Sequence, residues 1–294
     1  MKAVFLMNMG GARNEIELKE FIYNMFKDKR IISSPIRHIL APIITNLRYK
    51  KVWKNYELIG GSPIYKHTEN LINKLSKKID IPIFSVMRYT SPKADEIIKQ
   101  NNITEAILLP LYPHYSTTTT ESSFDDVKGI KTKKIKRFYK DKKFNEAVIE
   151  QIMKSLKEWK NEDVNLIFSA HGLPQKIVKK GDTYEKEINE HIKILSQMLP
   201  KFKSINLAYQ SKVGPMKWLE PSLDNKLKEF KNQKVLIYPL SFIIDNSETD
   251  LELGIEYAHQ AKELEIEYRV CKVLNDNDKF VEFLVEKIKK HINN

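Results

Sequence analysis

The chain holds one cysteine, Cys271, in 294 residues. A single thiol cannot form an internal disulfide, a thiolate zinc site or a cysteine-ligated iron–sulfur cluster. Cys271 lies in the strand-like stretch 268–273 and reads as a small core hydrophobe. Glycine is scarce too: nine glycines, with twelve prolines, leave no room for a long flexible linker. Long hydrophobic runs are missing. Ile39-Leu-Ala-Pro-Ile-Ile44 is far short of a membrane span. Met1-Lys-Ala-Val-Phe-Leu-Met-Asn8 enters a strand pattern with no signal-peptide cleavage site. Neither GxGxxG nor a Walker A sequence occurs, so Gly10-Gly11 gives little support to a nucleotide cradle. Arginine is the last shortage. The net charge is +12, yet only seven of the fifty basic residues are arginine. Lysine without arginine forks, and without stacking aromatics in the basic runs, reads as background composition and not as a nucleic-acid surface. These absences predict a soluble cytoplasmic protein, at most peripheral to the inner membrane face, with no nucleic-acid partner; a monomer is the expected state, though no residue pattern specifies it.

What is present is the alternation of an α/β protein. Apolar runs at 3–9, 83–87, 106–111, 166–170, 205–209, 235–242 and 268–273 read as strands. Amphipathic patterns at 15–27, 68–78, 92–101, 144–160, 184–198 and 248–264 read as helices. Apolar strands separated by helices predict parallel sheets covered on both faces. The pattern runs once and restarts after the basic stretch 128–143. The expected domains are therefore 1–135 and 136–294, with a last helix, 278–291, able to pack on either. Polar and glycine-bearing segments begin at the C-terminal ends of these strands: 8–11, 87–90, 110–123, 169–174, 209–221 and 239–249. Ligands bind at that edge of an open α/β sheet, which predicts a cleft between the domains.

Two segments carry chemistry. Ser169-Ala-His-Gly-Leu-Pro174 places His171 just past a strand, and Ser247–Glu256 spaces Glu248, Glu252 and Glu256 at i, i+4 and i+8 on one helix face. Imidazole and carboxylates together can handle a divalent metal and move protons. Like charges at i, i+4 oppose the helix by roughly 0.2–0.5 kcal/mol per pair, and no lysine three or four residues on compensates Glu248 or Glu252. The row is either a path for a hydrated cation or a solvated face. Thr117–Thr120 with Ser122 and Ser123 reads equally as an anion nest or a helix cap. His114 has a strand-end placement like that of His171 with weaker support. The segment 31–53 joins Ile39, Leu40, Ile43, Ile44 and Leu47 to Arg37, Arg48, Lys50 and Lys51, broken by Pro35 and Pro42. It reads either as an amphipathic helix buried on the core or as an apolar lip for a flat hydrophobic ligand.

Over nearly its whole length the chain resembles the ferrochelatases, chelatases that insert ferrous iron into a porphyrin. The resemblance is carried by Asn8-Met-Gly-Gly11, Gly60-Gly-Ser-Pro63, Arg88-Tyr89, Tyr112-Pro-His-Tyr-Ser116, Ser169–Pro174, Gly181-Asp-Thr-Tyr184, the Gln210–Pro221 string, and Ser241–Thr249. It implies two similar Rossmann-like domains, each a four-stranded parallel sheet flanked by helices, on either side of a cleft. It also implies a metal-site and catalytic pair, His171 and Glu248, and a metal path through Glu252 and Glu256. Met9, Arg48, Arg88, Tyr89, Ser116, Tyr184 and Trp218 are implied to line or support a porphyrin pocket. Iron is then a substrate, with no tightly bound cofactor and no iron–sulfur cluster.

The chain departs from the family pattern in places. Asn246 stands where a histidine is often found, two residues before the glutamate. Leu47 replaces an arginine that some members carry beside Arg48, and the cysteine-bearing C-terminal extension of cluster-containing relatives is missing. Met9 stands where members acting on coproporphyrin tend to carry tyrosine, which points to protoporphyrin IX. A coproporphyrin ferrochelatase, a sister cobalt chelatase and a non-catalytic haem carrier are the alternatives. For iron insertion the metal must lose water and two pyrrole N–H protons must leave. The ring must also bend so that its lone pairs face the ion. His171 is the expected base and Glu248 its partner in iron delivery or proton removal.

Overall fold

The structure, a computed structural model, describes residues 1–293 apart from Val213 and Pro215. Both of those residues lie in the Gln210–Pro221 string, so that part of the motif falls outside the described residues. The chain divides into two compact units, Met1–Arg137 with Phe280–Asn294, and Phe138–Lys279.

In the first unit β1 (Lys2–Asn8) leads into α1 (Glu15–Lys27), α2 (Arg37–Glu57) and α3 (Ile64–Leu75). There follow β2 (Ile83–Met87), α4 (Ala94–Gln100), β3 (Glu105–Pro110), a π-helical turn at Thr117–Glu121, α5 (Ser122–Asp126) and β4 (Lys131–Lys134). The sheet is parallel in the order β2-β1-β3-β4. β1 is buried from Ala3 to Asn8, because helices cover both faces and a central strand must be apolar on each. The Asn14 side chain caps α1 by accepting from Glu17 N at 2.9 Å, and Glu15 and Glu17 in the first turn suit the positive end of the helix dipole.

The second unit repeats the plan. It runs α6 (Lys142–Leu156), β5 (Val164–His171), α7 (Gln175–Lys179), α8 (Tyr184–Met198), β6 (Ser204–Gln210), α9 (Leu223–Lys228) and β7 (Lys234–Pro239). A π-helical segment, Glu248–Glu256, continues into α10 (Tyr257–Glu263), and β8 (Glu267–Val270) ends the unit. Its parallel sheet has the order β6-β5-β7-β8. Ile167, Ala208, Val235 and Ile237 from its strands pack with Leu223, Leu227, Leu253 and Ala261 from its helices. α11 (Asp278–Asn293) closes the chain. From Phe280 on it belongs to the first unit, where Lys2 Nζ and Lys133 Nζ donate to its last carbonyls, Ile292 O and His291 O, at 3.1 and 3.2 Å.

Three local readings need correction. The first is an omission: the stretch 128–143 does hold the division between the units, after Arg137, but it also contains β4, an edge strand whose residues Lys131-Thr-Lys-Lys134 are mostly exposed. Lysine on an edge strand blocks further strand addition, and it hides the strand from a search for apolar runs. Pro42 does not break the 31–53 segment, since α2 runs through it to Glu57. The glutamate row lies on a π-helical segment and not on an α-helix: Tyr257 N bonds Glu252 O, five residues back. Single π turns occur often at functional sites.

Candidate active site

His171 is the last residue of β5, and its position in the sheet order explains its prominence. β6 lies on one side of β5 and β7 on the other, so the chain reverses direction across the sheet beside it, at the place where α/β sheets bind ligands. Gly172 follows because there is no room for more: a Cβ there would stand 2.9 Å from Gln210 O and 3.2 Å from the Trp218 ring. The next residues pair with 217–219, through Leu219 N to Leu173 O and Gln175 N to Lys217 O, both at 2.9 Å.

The His171 ring meets Glu248 through Nδ1 and Oε2 at 2.7 Å. The two side chains keep 37% and 32% of their surface exposed, so the pair is reachable. Its backbone N–H donates to Ser241 Oγ at 2.9 Å, and the Tyr184 hydroxyl shares that same oxygen at 2.6 Å. On the other side Ser211 Oγ reaches two carboxylates, Glu248 Oε2 at 2.9 Å and Glu252 Oε2 still closer, while Ser211 N donates to Glu252 Oε1 at 2.8 Å. Gln210 Nε2 donates to Glu252 Oε2 at 3.0 Å and its Oε1 accepts from Ser169 Oγ at 2.6 Å. A continuous polar chain thus runs Ser169, Gln210, Glu252, Ser211, Glu248, His171.

The electrostatics follow from this wiring. Burial pushes the His171 pKa down, but the charge and hydrogen bond of Glu248, with Glu252 behind it, raise it above the ordinary imidazole value. Burial pushes Glu248 up, and His171 with the Ser211 hydroxyl draws it below the ordinary carboxyl value. Glu252 is raised to about 7, by burial first and by the Glu248 charge second, against the donors Ser211 and Gln210. The like-charge problem posed by the sequence is therefore met without a lysine: burial and the Glu248 charge favour the protonated form of Glu252. A single hydroxyl proton on Ser211 faces two carboxyl oxygens, which is consistent with one carboxyl carrying a proton of its own. Glu256 lies exposed at the outer end of the segment. Among the described residues no group of three or more His, Cys, Asp or Glu side chains is arranged to hold a metal ion. His171 and Glu248 offer an arriving cation two ligands, one nitrogen and one oxygen.

Comparison with known proteins decides the family. The ferrochelatase family profile matches residues 1–292. The chain belongs to the ferrochelatase family. It is 46% identical to a ferrochelatase of Nitratiruptor sp. and 47% identical to one of Sulfurimonas denitrificans, over 97% of this chain and 98% and 97% of theirs. Among solved structures, SirB from Bacillus subtilis with Fe3+ superposes with a TM-score of 0.57 over 98% of this chain and 94% of that one, at 10% identity. That likeness shows the shared chelatase-like fold.

The other residues implied by ferrochelatase resemblance fall in two groups. In the second unit, Tyr184 is buried with its hydroxyl on Ser241, and Trp218 is half-buried against Gly172. In the first unit, Met9 is half-buried just beyond β1, and Arg48 is exposed on α2. Ser116 is buried and caps the Thr117–Glu121 turn, its Oγ accepting from Thr118 N at 3.2 Å. Arg88 is committed elsewhere: Nε donates to Ser122 Oγ at 2.9 Å, Nη1 to Asp126 at 3.0 Å and Nη2 to Asp28 at 3.1 Å. Tyr89, 0% exposed, donates to the same Asp28 at 2.9 Å, so it supports and does not line. His114 is buried. Sequence alone does not single out three residues of the polar chain, Ser169, Gln210 and Ser211, or Ser241, which accepts from the His171 backbone. Each lies inside one of the quoted motifs, and the signal was there: hydroxyl and amide side chains at the C-terminal ends of strands or just beyond them.

Proposed function

We infer that the protein is a ferrochelatase, inserting Fe2+ into protoporphyrin IX to give protohaem with release of two protons. The observation that carries this is the His171–Glu248 pair at the end of β5, in a chain that matches ferrochelatases from end to end. With Nδ1 turned to Glu248, the neutral imidazole keeps the lone pair of Nε2 for a pyrrole proton or for iron, the tautomer being assigned from the hydrogen bond. Glu248 offsets the charge that His171 gains when it takes a proton, and it offers the ion a hard oxygen ligand. Glu252 and Glu256 extend the acidic surface outward and raise the local cation concentration. Iron is the substrate, and no resident cofactor enters the scheme.

Met9 just past β1 supports protoporphyrin IX over coproporphyrin. The apolar lip is supported in part by exposure: Ile39, Ile43 and Leu47, with the N-cap residue Ile36, stand exposed at helical spacing, Leu47 with 78% of its surface exposed, whereas Leu40 and Ile44 are half-buried. Arg37, Arg48, Lys50 and Lys51 flank them. This stripe suits the face of a porphyrin or a peripheral membrane contact. No described helix is long and apolar enough to cross a membrane. Serine at Ile39, Ile43 and Leu47 is expected to raise the porphyrin KM and to reduce cosedimentation with anionic liposomes.

The function is tested by anaerobic incubation of the purified protein with Fe2+ and protoporphyrin IX, following loss of the free-base spectrum and appearance of haem. Parallel arms with coproporphyrin III and with Co2+ distinguish the sister chelatases. Turnover restricted to coproporphyrin moves the substrate, and no turnover with any pair overturns the assignment.

A further inference from the structure

We propose that Ser211 is a positioning residue for this reaction, one whose hydroxyl and backbone N–H bind Glu248 and Glu252 into a single unit and so aim Glu248 at His171. The proposal rests on the ferrochelatase reading above. Ser211 directly follows β6 and has φ +65°, in the left-handed region that a non-glycine residue adopts only under strain. In this conformation both of its donors face the carboxylates: Ser211 N to Glu252 Oε1 at 2.8 Å, and Ser211 Oγ to Glu248 Oε2 at 2.9 Å and to Glu252 Oε2.

The unit is anchored at both ends to one strand. Gln210, 1% exposed, bridges Ser169 to Glu252, and Ser169 lies two residues before His171 on β5. Glu248, at the other end, meets His171 itself. Asn246, two residues before Glu248, does not share this task. Its Oδ1 accepts from Glu248 N at 2.8 Å and its Nδ2 donates to Ile244 O at 3.1 Å, so it fixes the backbone of the π-helical segment. Two carboxylates four residues apart repel, and without Ser211 each would keep one side-chain partner, His171 for Glu248 and Gln210 for Glu252. Ser211 holds both on the side of His171, where an arriving dication meets them together. Preorganised ligands of this kind raise affinity without adding a contact.

Two substitutions separate the hydroxyl from the backbone. S211A removes the hydroxyl and keeps a Cβ at positive φ, whereas S211G removes the hydroxyl and relieves the strain. Calorimetric titration of the porphyrin-free protein with Co2+ reads positioning without turnover. Each variant is expected to bind Co2+ about tenfold more weakly than wild type, the worth of a hydrogen bond to a charged group. Each is also expected to lower kcat for Fe2+ insertion about tenfold, at unchanged porphyrin KM. S211G should melt no lower than S211A. Because Ser211 acts through the pair, S211G should lose less in an E252Q background than in wild type. Wild-type Co2+ affinity in S211G, additive losses with E252Q, or no measurable Co2+ binding by the wild type would each overturn the proposal. If the wild type binds Co2+ but metallates no porphyrin, the function assignment fails while the affinities still decide the role of Ser211.

Discussion

Register for register, the two halves of the chain place different chemistry on one scaffold. In the first sheet β3 ends at Pro110, which pairs with Met7. In the second, β7 ends at Pro239, which pairs with Ser169. Counting two residues on from each partner puts Met9 of the first half where His171 stands in the second. The same count along β2 and β6, from Val86 beside Met7 and Ala208 beside Ser169, gives Arg88 in the first sheet the position that Gln210 has in the second, and Tyr89 that of Ser211. A serine and a π-helical turn follow in both, with Thr117–Glu121 in one and Glu248–Glu256 in the other. In the first half the acid at this edge, Asp28, is buried and held by a guanidinium, a phenol and a serine. In the second half the acids are held by amide, hydroxyl and imidazole, none of them a permanent cation. An arginine-bound carboxylate is spent on stability, whereas one bound by neutral donors can still receive a dication or a proton.

After His171 itself, the largest effect expected from this contrast is at Glu248. E248Q removes the charge that pairs with His171 and is predicted to lower kcat about a hundredfold, with little change in the melting curve. Steady-state iron insertion checks it, and kcat within threefold of wild type would erase the distinction between the halves. The first half should answer in the opposite way. R88M leaves Asp28 buried without its cation and is predicted to cost about 3 kcal/mol of stability, a melting-temperature loss of roughly 6–10 °C. An unchanged melt would mean the network is not structural.

Smaller effects grade the glutamates. E256Q should raise the Fe2+ KM about twofold at constant kcat, because an exposed charge only concentrates the cation. Saturation curves identical to wild type would make Glu256 a solvated face. E252Q is sensed through pH. A carboxyl whose folded pKa is raised stabilises the fold while protonated, and this is lost as pH rises through the folded value, here about 7. E252Q should therefore raise the melting temperature by about 2 °C at pH 8.5 and by less at pH 6. An increment that does not grow with pH would place Glu252 among ordinary exposed carboxyls.

Much of this was legible in the chain. Apolar runs gave the central strands, since burial on both faces demands them, and the segments at their C-terminal ends gave His171 and Glu248. β4 was not legible because an edge strand needs a partner more than it needs an apolar pattern, and Lys131-Thr-Lys-Lys134 looks like a charged linker. The periodicity of α2 showed which residues share a face, but not that Ile39, Ile43 and Leu47 would be left exposed. The spacing of Glu248, Glu252 and Glu256 fits an α-helix and a π-helical segment about equally, and only the bond from Tyr257 N to Glu252 O separates them. Ser211 was hidden for another reason: its role depends on a left-handed backbone at the end of β6 and on a carboxylate forty-one residues away. Such a contact is a property of the assembled sheet edge.

The central claim is that His171 makes the second half the reactive one, and the first half supplies its own control. H171M places in β5 the side chain that Met9 presents beyond β1. Initial rates of anaerobic Fe2+ insertion into protoporphyrin IX should be measured beside a thermal melt of the same sample. The prediction is turnover below about 1% of wild type, the scale of a lost general base, with an unchanged melting temperature. A well-folded H171M that inserts iron at several per cent of the wild-type rate or more would contradict it.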